Sequence, residues 1–242
     1  MVRPLSPPER PLENGTPWVW QSYPGPSWRW CRIYHVSGRT PDGITHRSYG
    51  PLGRMDHHVP GKDGRPEEST TGRSVLYVAE DLVTALGEVF GEAGEARVCP
   101  NYRVAILKPR VPLTVLDLRI KGAAMRIGAL PSLATAPYPR LETQAWARAI
   151  YEDQPVAGQT VRGIYYDAGY SNGGALALWD TVSDVVEVSA RGIRQDFALS
   201  DPRMWPRAQG EANDYLRMPA SKIAPSDCPA CTRSLFGGLA RR

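Results

Sequence analysis

The sequence predicts one strand-rich α+β domain with a few helices. Three observations predict it. Val75 to Ala79 is a short apolar run that passes directly into an amphipathic stretch, Leu82 to Phe90. Glu142 to Glu152 places Ala145, Trp146, Ala149 and Ile150 on one helical face. Several other short runs carry strand-forming residues between Gly and Pro punctuation.

Residues 1–27 hold Pro4, Pro7, Pro8, Pro11, Pro17, Pro24 and Pro26, a density that predicts an arm without regular structure. Trp18, Trp20, Trp28 and Trp30 predict that its later part packs on the body. Trp28 to Val36 alternates and predicts a strand. Residues 37–50 read as a loop, and the polar, glycine-rich residues 60–73 read as a mobile one. Strands are then predicted over 75–79, 102–107, 113–118, 161–166, 175–179 and 182–188, with a turn from Asp167 to Gly174. The expected organisation is an arm over 1–27, a domain over 28–190 and an irregular extension over 191–242.

Composition excludes several classes. Hydrophobic content of 42% and charged content of 22% are ordinary for a globular chain. No apolar run is long enough to span a bilayer, and the N-terminus lacks the apolar core of a signal peptide, so a cytoplasmic location is expected. A net charge of +4, scattered along the chain, suits an anionic ligand and argues against nucleic acid. Of the four cysteines, Cys31 and Cys99 read as reduced and structural. Cys228-Pro229-Ala230-Cys231 supplies two metal ligands where a structural zinc needs four. Any metal would have to recruit His57, His58 or a second chain, and no metal site is expected.

Gly169-Tyr170-Ser171-Asn172-Gly173 fits the pattern of a nucleophile elbow. All four histidines lie upstream, however, and the context reads strand–turn–strand, so a serine hydrolase is set aside.

Another grouping is more coherent. Arg32 and Arg54 suit a pyrophosphate, because a guanidinium binds phosphate oxygens bidentately. Tyr77 offers a ring face. Glu88 lies off the apolar stripe of its helix, on the edge shared with Asp81 and Thr84. A carboxylate there can bond a ribose hydroxyl and stabilise an oxocarbenium-like centre. The plain alternatives are a surface Arg32, a loop salt bridge between Arg54 and Asp56, a core Tyr77 and a solvated Glu88.

The order of these motifs resembles the RES domain family. Arg32, Gly53-Arg54-Met55-Asp56, Val75-Leu76-Tyr77-Val78-Ala79-Glu80, Thr84-Ala85-Leu86-Gly87-Glu88 and Gly163-Ile164-Tyr165-Tyr166 carry the resemblance, which covers about residues 28–190. It implies a fold like that of ADP-ribosyltransferase toxins. It also implies a toxin of a toxin–antitoxin pair that cleaves the nicotinamide N-glycosidic bond of NAD by hydrolysis or phosphorolysis. NAD is then substrate, not cofactor, and the partner is an antitoxin with a helix-turn-helix domain. Arg32, Arg54, Tyr77 and Glu88 would form the NAD site, with Glu88 and Arg54 catalytic.

Two departures stand out. The family often has a serine where this chain has Ala168, so Ser171 becomes the candidate replacement for substrate binding. The loop over 57–73 is enlarged and carries His57 and His58, read as structural or solvated unless they cover the pocket. An ADP-ribosyltransferase acting on a macromolecule, or a degenerate RES fold that binds a nucleotide or partner, would use the same site. The oligomeric state is left open.

Overall fold

The computed structural model describes residues 8, 12, 17–19, 29–135 and 140–236. In chain order its strands are β1 (Pro17–Val19), β2 (Trp30–His35), β3 (Tyr49–Gly50), β4 (Glu67–Glu68), β5 (Val75–Ala79), β6 (Ala96–Val98), β7 (Tyr102–Pro109) and β8 (Thr114–Asp117). They continue as β9 (Gly163–Asp167), β10 (Gly174–Trp179), β11 (Val185–Glu187), β12 (Ser189–Ala190), β13 (Ile193–Arg194), β14 (Asp196–Ala198) and β15 (Ala220–Lys222). The helices are α1 (Leu82–Phe90), α2 (Ala123–Arg126), α3 (Ser132–Thr135), α4 (Arg140–Glu152), α5 (Trp205–Asp214) and α6 (Pro229–Phe236). The fold class is the expected strand-rich α+β.

The main sheet runs β1-β8-β9-β10-β5-β2-β7-β11, with β14 also on β7. Its pairs are antiparallel except β8 with β9. Side chains alternate between its faces. Leu76, Val78, Leu176 and Leu178 pack with Trp30 and Tyr34 on one side. On the other side, Val75, Ala175, Ala177 and Trp179 meet Trp146, Ala149 and Ile150 of α4. There too, Cys31, Ile33 and Ala79 meet Leu82, Ala85, Leu86 and Phe90 of α1. Gly163, at φ 153°, explains the tight β9–β10 pairing: a Cβ there would lie 2.2 Å from the Ala177 carbonyl oxygen.

Four expectations are corrected. Most of the proline-rich arm lies outside the described residues, but Pro17–Val19 pairs with β8. Pro17 opens that strand, where its missing N–H costs least. Residues 60–73 are ordered: β4 pairs with β3, Gly61 N–H donates to Arg65 O, and Arg73 reaches Glu152 at 2.9 Å.

The described part of the extension over 191–242, residues 191–236, holds regular elements that were not expected. It contains α5, whose Ala208 and Ala212 sit one turn apart against the α1 cluster, and β15, which pairs in parallel with β6. Pro206 hides α5 in the sequence, yet it stands in the first turn, where proline is tolerated. Finally, Cys228 and Cys231 pack with Cys99 and His35, not with His57 or His58. The expectation of no metal site rests on only two ligand-type residues being close in sequence; in the fold His35 and Cys99 lie beside them.

Candidate active site

The site forms where β2 and β5 part. These strands pair through a single register position, Cys31 opposite Ala79. Ala79 lies opposite Ala175, and Ala175 opposite Tyr166. Cys31, Ala79, Ala175 and Tyr166 therefore form one row across four strands, and all four line a cavity of about 680 Å³. The two alanines in the middle leave the depth. The cavity is the right size for a nucleotide-sized ligand.

The β5–α1 unit makes one wall. Asp81 caps α1 by accepting the Thr84 N–H at 2.7 Å. Ala85, Glu88 and Val89 then face the cavity, while Leu82, Leu86 and Phe90 are buried. Glu88 sits at the rim, its side chain 29% exposed. Its carboxylate accepts the Gly169 N–H at 3.0 Å and lies 4.0 Å from the Arg54 guanidinium. Arg54 also donates to Asp167 O at 3.1 Å and stacks over Tyr166, 5.0 Å from the ring centre. Burial, with Glu88 nearby, drives the Tyr166 hydroxyl far up, so it stays a neutral donor.

Tyr77 is brought to the cavity as expected, but its hydroxyl is already engaged. It donates to Asp56 at 2.5 Å and accepts from Met55 N–H at 3.1 Å. Burial and Asp56 hold its pKa well above normal. What faces the cavity is a fixed ring. Gly53 lies so close over it that a Cβ would be 2.4 Å from the hydroxyl oxygen.

Asp56 is the residue that sequence reasoning missed. It is wholly buried and does not pair with Arg54. It accepts two bonds from Arg47, at 2.9 and 2.7 Å, and the N–H groups of Leu52 and Gly53. This hub fixes the 52–56 turn that carries Arg54. Its apparent membership of a family motif was the available signal.

Arg32 lines the cavity, but its Nη1 is committed to Gly43 O at 2.7 Å and Thr45 O at 2.8 Å. Burial lowers its pKa to about 10. Arg47, Arg54 and Arg140 line the cavity beside Arg32, against Glu88 and Glu92. Arg47, Arg54 and Arg140 each lie near a carboxylate, of Asp56, Glu88 and Glu92 respectively.

Ser171 does not reach the cavity, contrary to expectation. Its Oγ donates to Thr84 Oγ1 at 3.2 Å and accepts the Gly173 N–H at 3.1 Å, closing its own turn. The β9–β10 connection is strand–turn–strand, not an elbow. Ala168 points into the core at 1% exposure, and the turn lends the cavity Gly169 and Tyr170 instead. Tyr170 lies on Gly91, where a Cβ would meet its ring at 2.3 Å.

His57 and His58 are buried away from the cavity, His57 against Tyr151 and Trp179. Burial lowers both pKa values, that of His58 to about 4. Cys31 in the floor is no nucleophile, since burial, then Asp81, pushes its thiol to about 12.

The RES domain model matches residues 26–200. The chain belongs to the RES family. Among solved structures, it is similar to a chain in the M. tuberculosis MbcT–MbcA toxin–antitoxin complex, at 17% identity and a TM-score of 0.42. That match covers 67% of this chain and 85% of the other. No curated protein matches. No helix among the described residues is long and apolar enough to cross a membrane.

Proposed function

We propose that this RES protein cleaves the nicotinamide N-glycosidic bond of NAD. The observation that carries the reading is the Glu88 carboxylate, held by the Gly169 N–H beside Arg54 at the rim of a basic, aromatic-walled cavity. A carboxylate so placed accepts from a ribose hydroxyl and opposes the positive charge that grows as nicotinamide leaves. Arg54 would meet the pyrophosphate, while Arg47, locked on Asp56, and Arg32, locked on Gly43 O and Thr45 O, would add positive potential behind it. Tyr77, its hydroxyl locked on Asp56, would present a ring face to the nicotinamide half. Water or phosphate then attacks the anomeric carbon.

Family membership supports a second layer. The chain would act as the toxin of a toxin–antitoxin pair, restrained by a helix-turn-helix antitoxin seated over the cavity mouth. Incubation of the purified chain with NAD tests the first claim. Free nicotinamide, with ADP-ribose or its 1″-phosphate, is expected. ADP-ribose label found on a macromolecule would instead mark a transferase, and NAD binding without turnover a degenerate fold. Growth arrest on expression, relieved by the neighbouring reading frame, tests the second.

A further inference from the structure

Outside the cavity, among the described residues, His35, Cys99, Cys228 and Cys231 form one cluster whose ligand atoms all lie within 4.8 Å of one another. His35 ends β2, and Cys99 follows β6. Cys228 and Cys231 straddle the start of α6. His35 Nε2 lies 3.1 Å from the Cys231 sulfur, 3.6 Å from that of Cys99 and 3.8 Å from that of Cys228. The Cys99 and Cys231 sulfurs are 3.6 Å apart. That is far beyond a disulfide bond of about 2.05 Å, and all four cysteines are free thiols.

Zinc with Zn–S near 2.3 Å and Zn–N near 2.0–2.1 Å, in a tetrahedron, sets its ligand atoms about 3.5–3.8 Å apart. Three of the four distances fall close to that span, and the fourth is shorter. The chemistry agrees as well as the spacing. Three thiols and an imidazole are the donor set of a closed structural zinc site. Cys99 and Cys228 are fully buried and Cys231 is 8% exposed. The three thiols and the ring nitrogen all face one another, as ligands around one ion would.

The supporting groups are also in place. Asn101 donates an N–H to the Cys231 sulfur at 3.3 Å. Tyr102 packs edge-on against the His35 ring, with centres 4.9 Å apart. Such outer contacts orient metal ligands.

We propose that His35, Cys99, Cys228 and Cys231 bind one structural zinc ion that fastens the C-terminal segment to the cavity-bearing sheet. Four protein ligands leave no open position, so the ion is not catalytic. Its thiol ligands bind as thiolates, releasing their protons as the metal enters. The anchor is local to the site: His35 lies three residues from Arg32 on β2, and β15, just before the CxxC, is paired to β6 beside Cys99.

The test is metal analysis of the full chain, expressed in zinc-replete medium and purified reduced, without a metal-affinity tag. About one zinc per chain is expected. The Cys228→Ser/Cys231→Ser double variant should lose it, whereas His35→Cys, which restores a four-thiolate set, should keep it. Cobalt(II) substitution should give the intense ligand-field bands of a tetrahedral thiolate site. A wild-type chain that purifies without zinc and binds added zinc no tighter than the double variant overturns the proposal. So does a mass two hydrogens low, mapped to a Cys228–Cys231 disulfide, in the freshly purified chain.

Discussion

The two walls of the cavity are built by different means. The β5–α1 wall is made of side chains whose positions follow from periodicity: Tyr77 from the strand, Ala85, Glu88 and Val89 from the helix. The β9–β10 wall adds the rings of Tyr166 and Tyr170 but makes its polar contacts through the backbone. Gly169 offers an N–H to Glu88, Asp167 a carbonyl to Arg54, and Ser171 ties the turn to Thr84 of α1 without reaching the cavity. The difference teaches that one wall of the cavity can be set by main-chain groups that residue type does not reveal. Ala168 points into the core, and the neighbouring Gly169 N–H supplies the donor beside the carboxylate.

The largest effect on stability should come from beneath the first wall. Asp56→Ala leaves Arg47 and Tyr77 without their buried acceptor. We expect a loss of about 3 kcal/mol in denaturant unfolding, in line with broken buried ion pairs. Gly53→Ala should cost about 1–3 kcal/mol, because its Cβ would press on the Tyr77 hydroxyl. It should also weaken NAD binding in calorimetry by displacing Arg54. An unchanged affinity would break the claim that this turn aims Arg54.

Acid should reveal the buried histidines behind the same turn. His57 and His58 have folded-state pKa values below that of the unfolded chain. The unfolded state therefore binds more protons as pH falls. Stability should be full above about pH 6.5 and decline toward pH 4. Urea midpoints across that window check it, and His58→Gln should flatten the curve.

Ser171→Ala should have the smallest effect. It removes a turn contact worth about 0.5–1.5 kcal/mol and should leave KM for NAD unchanged. A raised KM would restore Ser171 to the binding site and sharpen the comparison in the opposite direction.

What could be read from the sequence divides along the same line. The β5–α1 unit was legible because its apolar residues repeat at helical spacing and Glu88 falls off the stripe. Arg54 and Tyr77 were placed by motif, and the structure brings them together. The Asp56 partner was misread, since Arg47 lies on a bridge to Val75 that only tertiary pairing creates. α5 was missed because its buried face is two alanines, too small to register as periodicity. The His35–Cys99–Cys228–Cys231 cluster was invisible because His35 and Cys231 stand 196 positions apart. Backbone donors such as Gly169 N–H leave no residue-type signature at all.

The most direct test of the central claim is nicotinamide release by Glu88→Gln beside the wild type, with NAD affinity measured on both. Removing the charge while keeping the side-chain shape should lower kcat by about 10²–10³ with little change in affinity or folding, the scale of losing one transition-state stabiliser. An unchanged kcat would contradict the role given to Glu88 and, with it, the reading of the cavity as a site of N-glycosidic cleavage.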